Sequence, residues 1–148
     1  MLKIKNGKWI HFNGEYLNLV YSHVNEPCWK VITKNPKYVK FGFEIKEDYC
    51  VKTFKIDELH NNSAYNLLTY CNYKRGVYFL ENIWNNKAIL SPELKTKIQL
   101  GIHAYDDRRI EVNYEQFMEE VEEIWEKREP IEGFVFDVPA IFYIKKKL

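Results

Sequence analysis

Glycine and proline are scarce in this chain, six and five among 148 residues, and that scarcity argues against disorder. Cysteine is scarcer still. Cys28, Cys50 and Cys71 are odd in number and match no standard metal or redox spacing. Three thiols cannot all pair within one chain, so small buried side chains in a reducing cytosol are expected in place of a disulfide framework. No stretch approaches the roughly 20 apolar residues of a membrane span. Residues 1–7 carry no apolar run of signal-peptide length, so the expectation is a soluble, cytoplasmic protein without membrane contact.

Chemistry-bearing motifs are missing too. His11, His23, His60 and His103 are scattered, with no His pair at helical spacing, and residues 106–111 lack the alternating oxygen ligands and central glycine of a calcium loop. No glycine-rich phosphate loop exists, and nothing local sets Cys28 against His23 or Cys71 against His60 as nucleophile and base. No catalytic, cofactor-binding or metal-binding residue is therefore named. A binding protein is expected before an enzyme.

What is present is aromatic and strongly polarised. Nine Phe, eleven Tyr and four Trp help bring the hydrophobic content to 46%, ample for one core. The length suits a single domain over residues 1–148. Residues 106–137 hold twelve carboxylates against four bases, while residues 1–105 hold fifteen bases against nine carboxylates. The formal charge of +1 hides this separation. Asymmetry of this kind governs partners and encounter rates, not fold.

The first 56 residues read as β-structure. Asn6-Gly7 and Asn13-Gly14 are pairs suited to type I′ hairpin turns, and they bracket a strand at 8–12. Further strands are expected at 15–21, 28–33, 38–46 and 49–56. The fourth is read from Val39, Phe41, Phe43 and Ile45 alternating with polar residues. Beyond residue 56 the period shifts. Ala64, Leu67, Leu68 and Cys71 fall at helical spacing, and Lys74-Arg75-Gly76 resembles a helix end. A short buried strand is expected at 77–80. Ser91-Pro92-Glu93 starts a helix whose Leu94, Ile98 and Ile102 line one face. A strand follows at 109–112. Asn113 and Gln116 open an acidic helix over 113–129 with the stripe Phe117, Met118, Val121, Ile124 and Trp125. One or two strands close the chain, with Lys145, Lys146 and Lys147 as a solvated basic end. The expected class is α+β: an N-terminal antiparallel β-meander followed by helix-strand-helix-strand.

On the acidic helix, Glu119, Glu123 and Glu126 point away from the apolar stripe, with Glu122 on a flank. Like charges three and four apart weaken a helix by a few tenths of a kcal/mol per pair, so this face is not arranged for stability. A docking surface for a basic protein is one reading and an ordinary solvated face is the other. Asp106 and Asp107 extend the patch. The lysine-rich first half supports a different reading, in which Trp9, Trp29, Tyr38, Phe41, Phe43 and Tyr49 stack nucleic-acid bases among Lys30, Lys34, Lys37, Lys40, Lys46, Lys52 and Lys55. Shared strand faces favour a core role for Phe41 and Phe43. Trp84 is expected in the core between sheet and helix.

The small size, the meander followed by helix-strand-helix, the aromatic richness and the acidic helix together resemble a bacterial immunity protein of the contact-dependent or polymorphic toxin systems. That resemblance implies an antitoxin that inhibits a basic, nuclease-type toxin domain by covering its active site. No residue role comes from the resemblance; the docking residues read from the acidic segment itself are Glu119, Glu122, Glu123, Glu126, Asp106 and Asp107, in a monomer or weak dimer with no cofactor. The alternative is a nucleic-acid-binding module using the Lys- and aromatic-rich sheet.

Overall fold

Asn13 and Gly14 take positive φ (51° and 83°) and turn β1 (Gly7–Phe12) back onto β2 (Glu15–Ser22), Phe12 facing Glu15. This is the tight turn that Asn-Gly favours. The computed structural model describes residues 1–147. Asn6-Gly7 makes no hairpin. Its Asn6 amide donates to the carbonyls of Leu80 and Glu81 (2.9 and 3.3 Å), and its oxygen accepts from the Thr69 amide at 2.7 Å.

The chain packs as two compact units. The meander unit comprises Gly7–Asn66 with Glu129–Val138. It continues from the first hairpin into β3 (Cys28–Thr33), β4 (Glu44–Ile45) and β5 (Cys50–Lys55), in the antiparallel order β4-β5-β3-β2-β1. The expected strand at 38–46 is mostly a 3-10 helix, Pro36–Phe41. Asn35 caps it by accepting from the Lys37 amide, and Gly42 ends it in the left-handed conformation (φ 89°). That turn sends Tyr38 and Phe43 into a core with Ile10, Leu17, Leu19, Trp29, Val31 and Phe54.

The helix-bearing unit comprises Met1–Asn6, Leu67–Arg128 and the residues from Pro139 onward. Ala64, Leu67, Leu68 and Cys71, whose spacing suggested a helix, lie instead on β6 (Ala64–Tyr73), with Ala64, Tyr65, Leu67, Thr69, Cys71 and Tyr73 all buried. Residues 64–66 of this strand belong to the meander unit and 67–73 to the helix-bearing unit. Lys74 and Arg75 are a hairpin turn with φ of 47° and 65°, not a helix end. They lead into β7 (Gly76–Trp84), and Asn85-Asn86 turns that strand into β8 (Lys87–Pro92). A bulge at Glu81 shifts the β7–β8 register, and the Asn6 amide holds the carbonyls beside it.

The helix read at Ser91-Pro92-Glu93 begins later, as α1 (Leu94–Leu100), because Ser91 and Pro92 still pair as strand. β9 (Ile110–Asn113) follows on β8. α2 is only Tyr114–Glu120, its first amides accepted by the Asn113 side chain. Val121 is already extended, and β10 (Glu123–Pro130) pairs with β6 and with β11 (Ile141–Lys145). The acidic helix expected over 113–129 is thus half strand. A helix there would stack Glu119, Glu122, Glu123 and Glu126 at repulsive spacings, whereas the strand places Ile124 in a core with Cys71, Tyr73, Leu80, Leu90 and Phe117.

Antiparallel sheet accounts for 49% of the chain and helix for 14%, so the protein is far more sheet-rich than helix-strand-helix-strand. Both α-helices rest on the face of β7–β8 that carries Tyr78 and Leu90. Thr96 of α1 touches the Tyr78 side, and the Phe117 ring of α2 lies 5.7 Å from Tyr73.

Candidate partner-binding surface

The six carboxylates singled out above do not share one face. Glu119 sits exposed near the end of α2. Glu122 lies beyond that end and pairs with Lys147 at 3.1 Å. Glu123 is on β10, half-buried, accepting from Asn72 Nδ2 at 2.9 Å. Glu126 is buried at 6% exposure, with its carboxylate 3.1 Å from Arg128 Nη2. Asp106 is half-buried and accepts from both the backbone and the guanidinium of Arg108 (3.0 and 3.1 Å). Asp107 is exposed.

The basic end of the chain meets part of this acid. Lys145 Nζ donates to the carbonyls of Met118 and Val121 (3.2 and 2.8 Å) at the C-terminus of α2, where a cation answers the helix dipole. Glu120 accepts from the Tyr73 hydroxyl at 3.2 Å, with Lys74 at 3.5 Å. A hydrogen bond from Gln116, aided by Tyr73 and Lys74, holds the Glu120 carboxyl below the ordinary carboxylate range.

What is left for a partner is different from the set expected. Glu115 and Glu119, one helical turn apart on α2, are exposed and carry no ion pair among the described residues; Asp107 is likewise bare. Glu115 was not singled out by sequence reasoning, although its place in the first turn of α2 gives it a second role against the helix dipole.

The second feature missed is apolar. Of the expected stripe, Leu94 and Ile98 lie on α1 but face outward, and Ile102 lies beyond the helix and is half-buried. Leu94 and Ile98 are 58% and 69% exposed on one side and Leu100 is exposed on another, while the buried residue of this helix is Thr96. Thr96 Oγ1 accepts from the Val77 amide at 2.9 Å, so the hydroxyl is satisfied where it is buried. Trp84, expected in the core, is 68% exposed at the tip of the β7–β8 hairpin. In the meander unit the reverse holds. Trp29, Tyr38 and Phe43 are buried, which removes three of the six rings considered as base-stacking platforms.

Among the described residues no group of three His, Cys, Asp or Glu side chains is placed to hold a metal ion. No helix among them is long and apolar enough to cross a membrane. Burial pushes the Cys71 thiol up to about 12, far from the range of a reactive thiolate. No protein-family model matches this chain, and neither a curated protein nor a solved structure is detectably similar to it.

Proposed function

We propose that this protein binds and inhibits a basic protein, in the manner of an immunity protein that neutralises a nuclease-type toxin domain by covering its active site. The observation that carries the reading is the outer surface of the two helices. α1 turns Leu94, Ile98 and Leu100 to solvent, and α2 presents Glu115 and Glu119 without a cation of their own. A helix whose apolar stripe faces water forgoes its burial free energy, about 1.5–3 kcal/mol for each large aliphatic side chain. Exposed apolar groups rimmed by charge mark surfaces that a partner covers. The carboxylates then supply steering and orientation toward lysines and arginines, the groups a nuclease must present to phosphate.

The working complex buries a standard-sized interface, roughly 1,200–2,000 Å² in total, and its association slows as salt rises. The test is co-expression with the products of neighbouring reading frames, followed by capture at several salt concentrations. Recovery of a basic protein that is toxic when expressed alone is the expected result. Glu115→Lys/Glu119→Lys should slow association with that protein, and Ile98→Asp should speed dissociation. Unchanged binding in both variants would refute the helical surface as the interface.

A further inference from the structure

The meander unit carries a feature that the partner reading does not use. On the outer face of its sheet, opposite the core, Ser22, Cys28 and Lys55 form one cross-strand row, and Lys30 with Thr53 forms the next. Residues 24–27 and Glu58 line an open cleft of about 690 Å³ together with these rows. That volume lies within the range of small-molecule sites.

The electrostatics of the floor are unbalanced. Lys30 and Lys55 occupy diagonal positions on adjacent strands, a spacing of about 7–8 Å. Neither ammonium has an ion pair or hydrogen bond among the described residues, although Lys30 is half-buried. The two carboxylates of the cleft stand on its walls. Glu58 accepts from the Lys55 backbone amide at 3.0 Å, and Glu26 sits on the β2–β3 connection. Two like charges at this spacing repel, and a bound anion offsets that repulsion. Ser22 and Thr53 add hydroxyl donors beside them, while Val24 and Pro27 add apolar wall. The flanking carboxylates oppose a long polyanion, which would have to pass them, so the ligand is small.

We propose that this cleft binds a small organic dianion, a phosphate monoester or a dicarboxylate, with its charge held between Lys30 and Lys55 and its apolar part against Val24 and Pro27. The site is equipped with its own reporter. Cys28 is half-exposed on the cleft floor, whereas Cys50 and Cys71 are buried.

The experiment follows alkylation of Cys28 by an uncharged maleimide, using intact-protein mass spectrometry at constant ionic strength. Phenyl phosphate and phthalate serve as the two dianion probes. With a probe at about ten times its dissociation constant, labelling should slow about tenfold, since only the empty cleft reacts. Protection by one probe and not the other assigns the head group. Lys30→Gln/Lys55→Gln should label at Cys28 with no protection by either probe. The proposal is overturned if neither probe slows labelling, if the double variant is protected as well as the parent, or if chloride at matched ionic strength protects equally.

Discussion

Glu126 offers the sharpest test of how the acidic segment is built. It is one of the carboxylates that sequence reasoning assigned to a docking face, and the fold buries it beside Arg128. The two side chains are 8% and 16% exposed, with 3.1 Å between Oε1 and Nη2. Replacing Glu126 with methionine conserves volume and removes the carboxylate that lies 3.1 Å from the largely buried Arg128 guanidinium. Breaking one side of a buried pair costs about 3–5 kcal/mol. Arg128 keeps the Pro139 carbonyl at 3.5 Å and lies over the Phe142 ring at 5.3 Å, so the cost belongs at the lower end, about 3 kcal/mol. For a chain of this length that loss lowers the unfolding midpoint by roughly 6–12 °C. The companion variant Glu126→Met/Arg128→Met should recover most of the loss, because two matched apolar side chains replace a pair that was expensive to desolvate. Urea unfolding of both variants and the parent measures the difference. A single variant within about 0.5 kcal/mol of the parent would refute the buried pair and return Glu126 to the list of groups free to meet a partner.

Three further outcomes follow from local geometry. Arg75→Gly should stabilise the protein by about 0.5 kcal/mol, because left-handed strain of about 1–2 kcal/mol is relieved against a smaller chain-entropy cost; chemical denaturation measures it. Gly76→Ala should destabilise by about 1–3 kcal/mol, since an added Cβ would lie 2.8 Å from Thr96 Cγ2 and 2.9 Å from Tyr78 Cε2; the same denaturation assay reads it. The Glu120 carboxyl should titrate below its ordinary value of 4.5 in a carbon-detected NMR titration, held down first by Gln116 and then by Tyr73 and Lys74. Its stabilising contribution is therefore present above the ordinary carboxylate range and lost as pH falls through the lower folded value. A Glu120 titration at or above 4.5 would contradict that hydrogen-bonded arrangement.

The meander was largely legible. Asn13-Gly14 specifies its hairpin, and strands 15–21, 28–33 and 49–56 were placed within a residue or two. The departures elsewhere share a cause. The buried polar or charged side chains of the described residues are Thr69, Thr96 and Glu126, and each lies where pattern reading failed. Thr69 interrupts the period-2 series of β6, which left Ala64, Leu67, Leu68 and Cys71 to suggest a helix. Thr96 is the inward residue of α1, so the apolar stripe that looked like core is the outside. Glu126 is buried on β10 two residues after Ile124, so a carboxylate that looked solvated is paired. Hydrophobic periodicity assumes that burial follows polarity, and three exceptions are enough to mislead it at three elements: Thr96 is hydrogen-bonded, Glu126 is paired, and the buried Thr69 hydroxyl has no partner among the described residues. The 3-10 helix at Pro36–Phe41 was legible by another route. Asn35-Pro36 before it and Gly42 after it form a cap, a start and a stop, which the alternation of Val39, Phe41 and Phe43 obscured. The bare pair on α2 follows from spacing alone once the end of that helix is known, and the sequence does not mark that end.

The order in which the two units take up chain constrains how the protein is made. Residues 1–6 are made before 7–66, yet the groups Asn6 holds, at Thr69, Leu80 and Glu81, emerge only after that whole run has been synthesised. The meander hairpins are local and can close early, whereas the helix-bearing unit waits for three separated stretches, the last starting at Pro139. Cutting between residues 66 and 67 would therefore yield no intact unit on either side. The fragment 1–66 lacks the return segment 129–138, and the fragment from 67 onward lacks the hexapeptide that braces the β7 bulge. The two units are interleaved along the chain, and each is completed only after residue 128 has been synthesised.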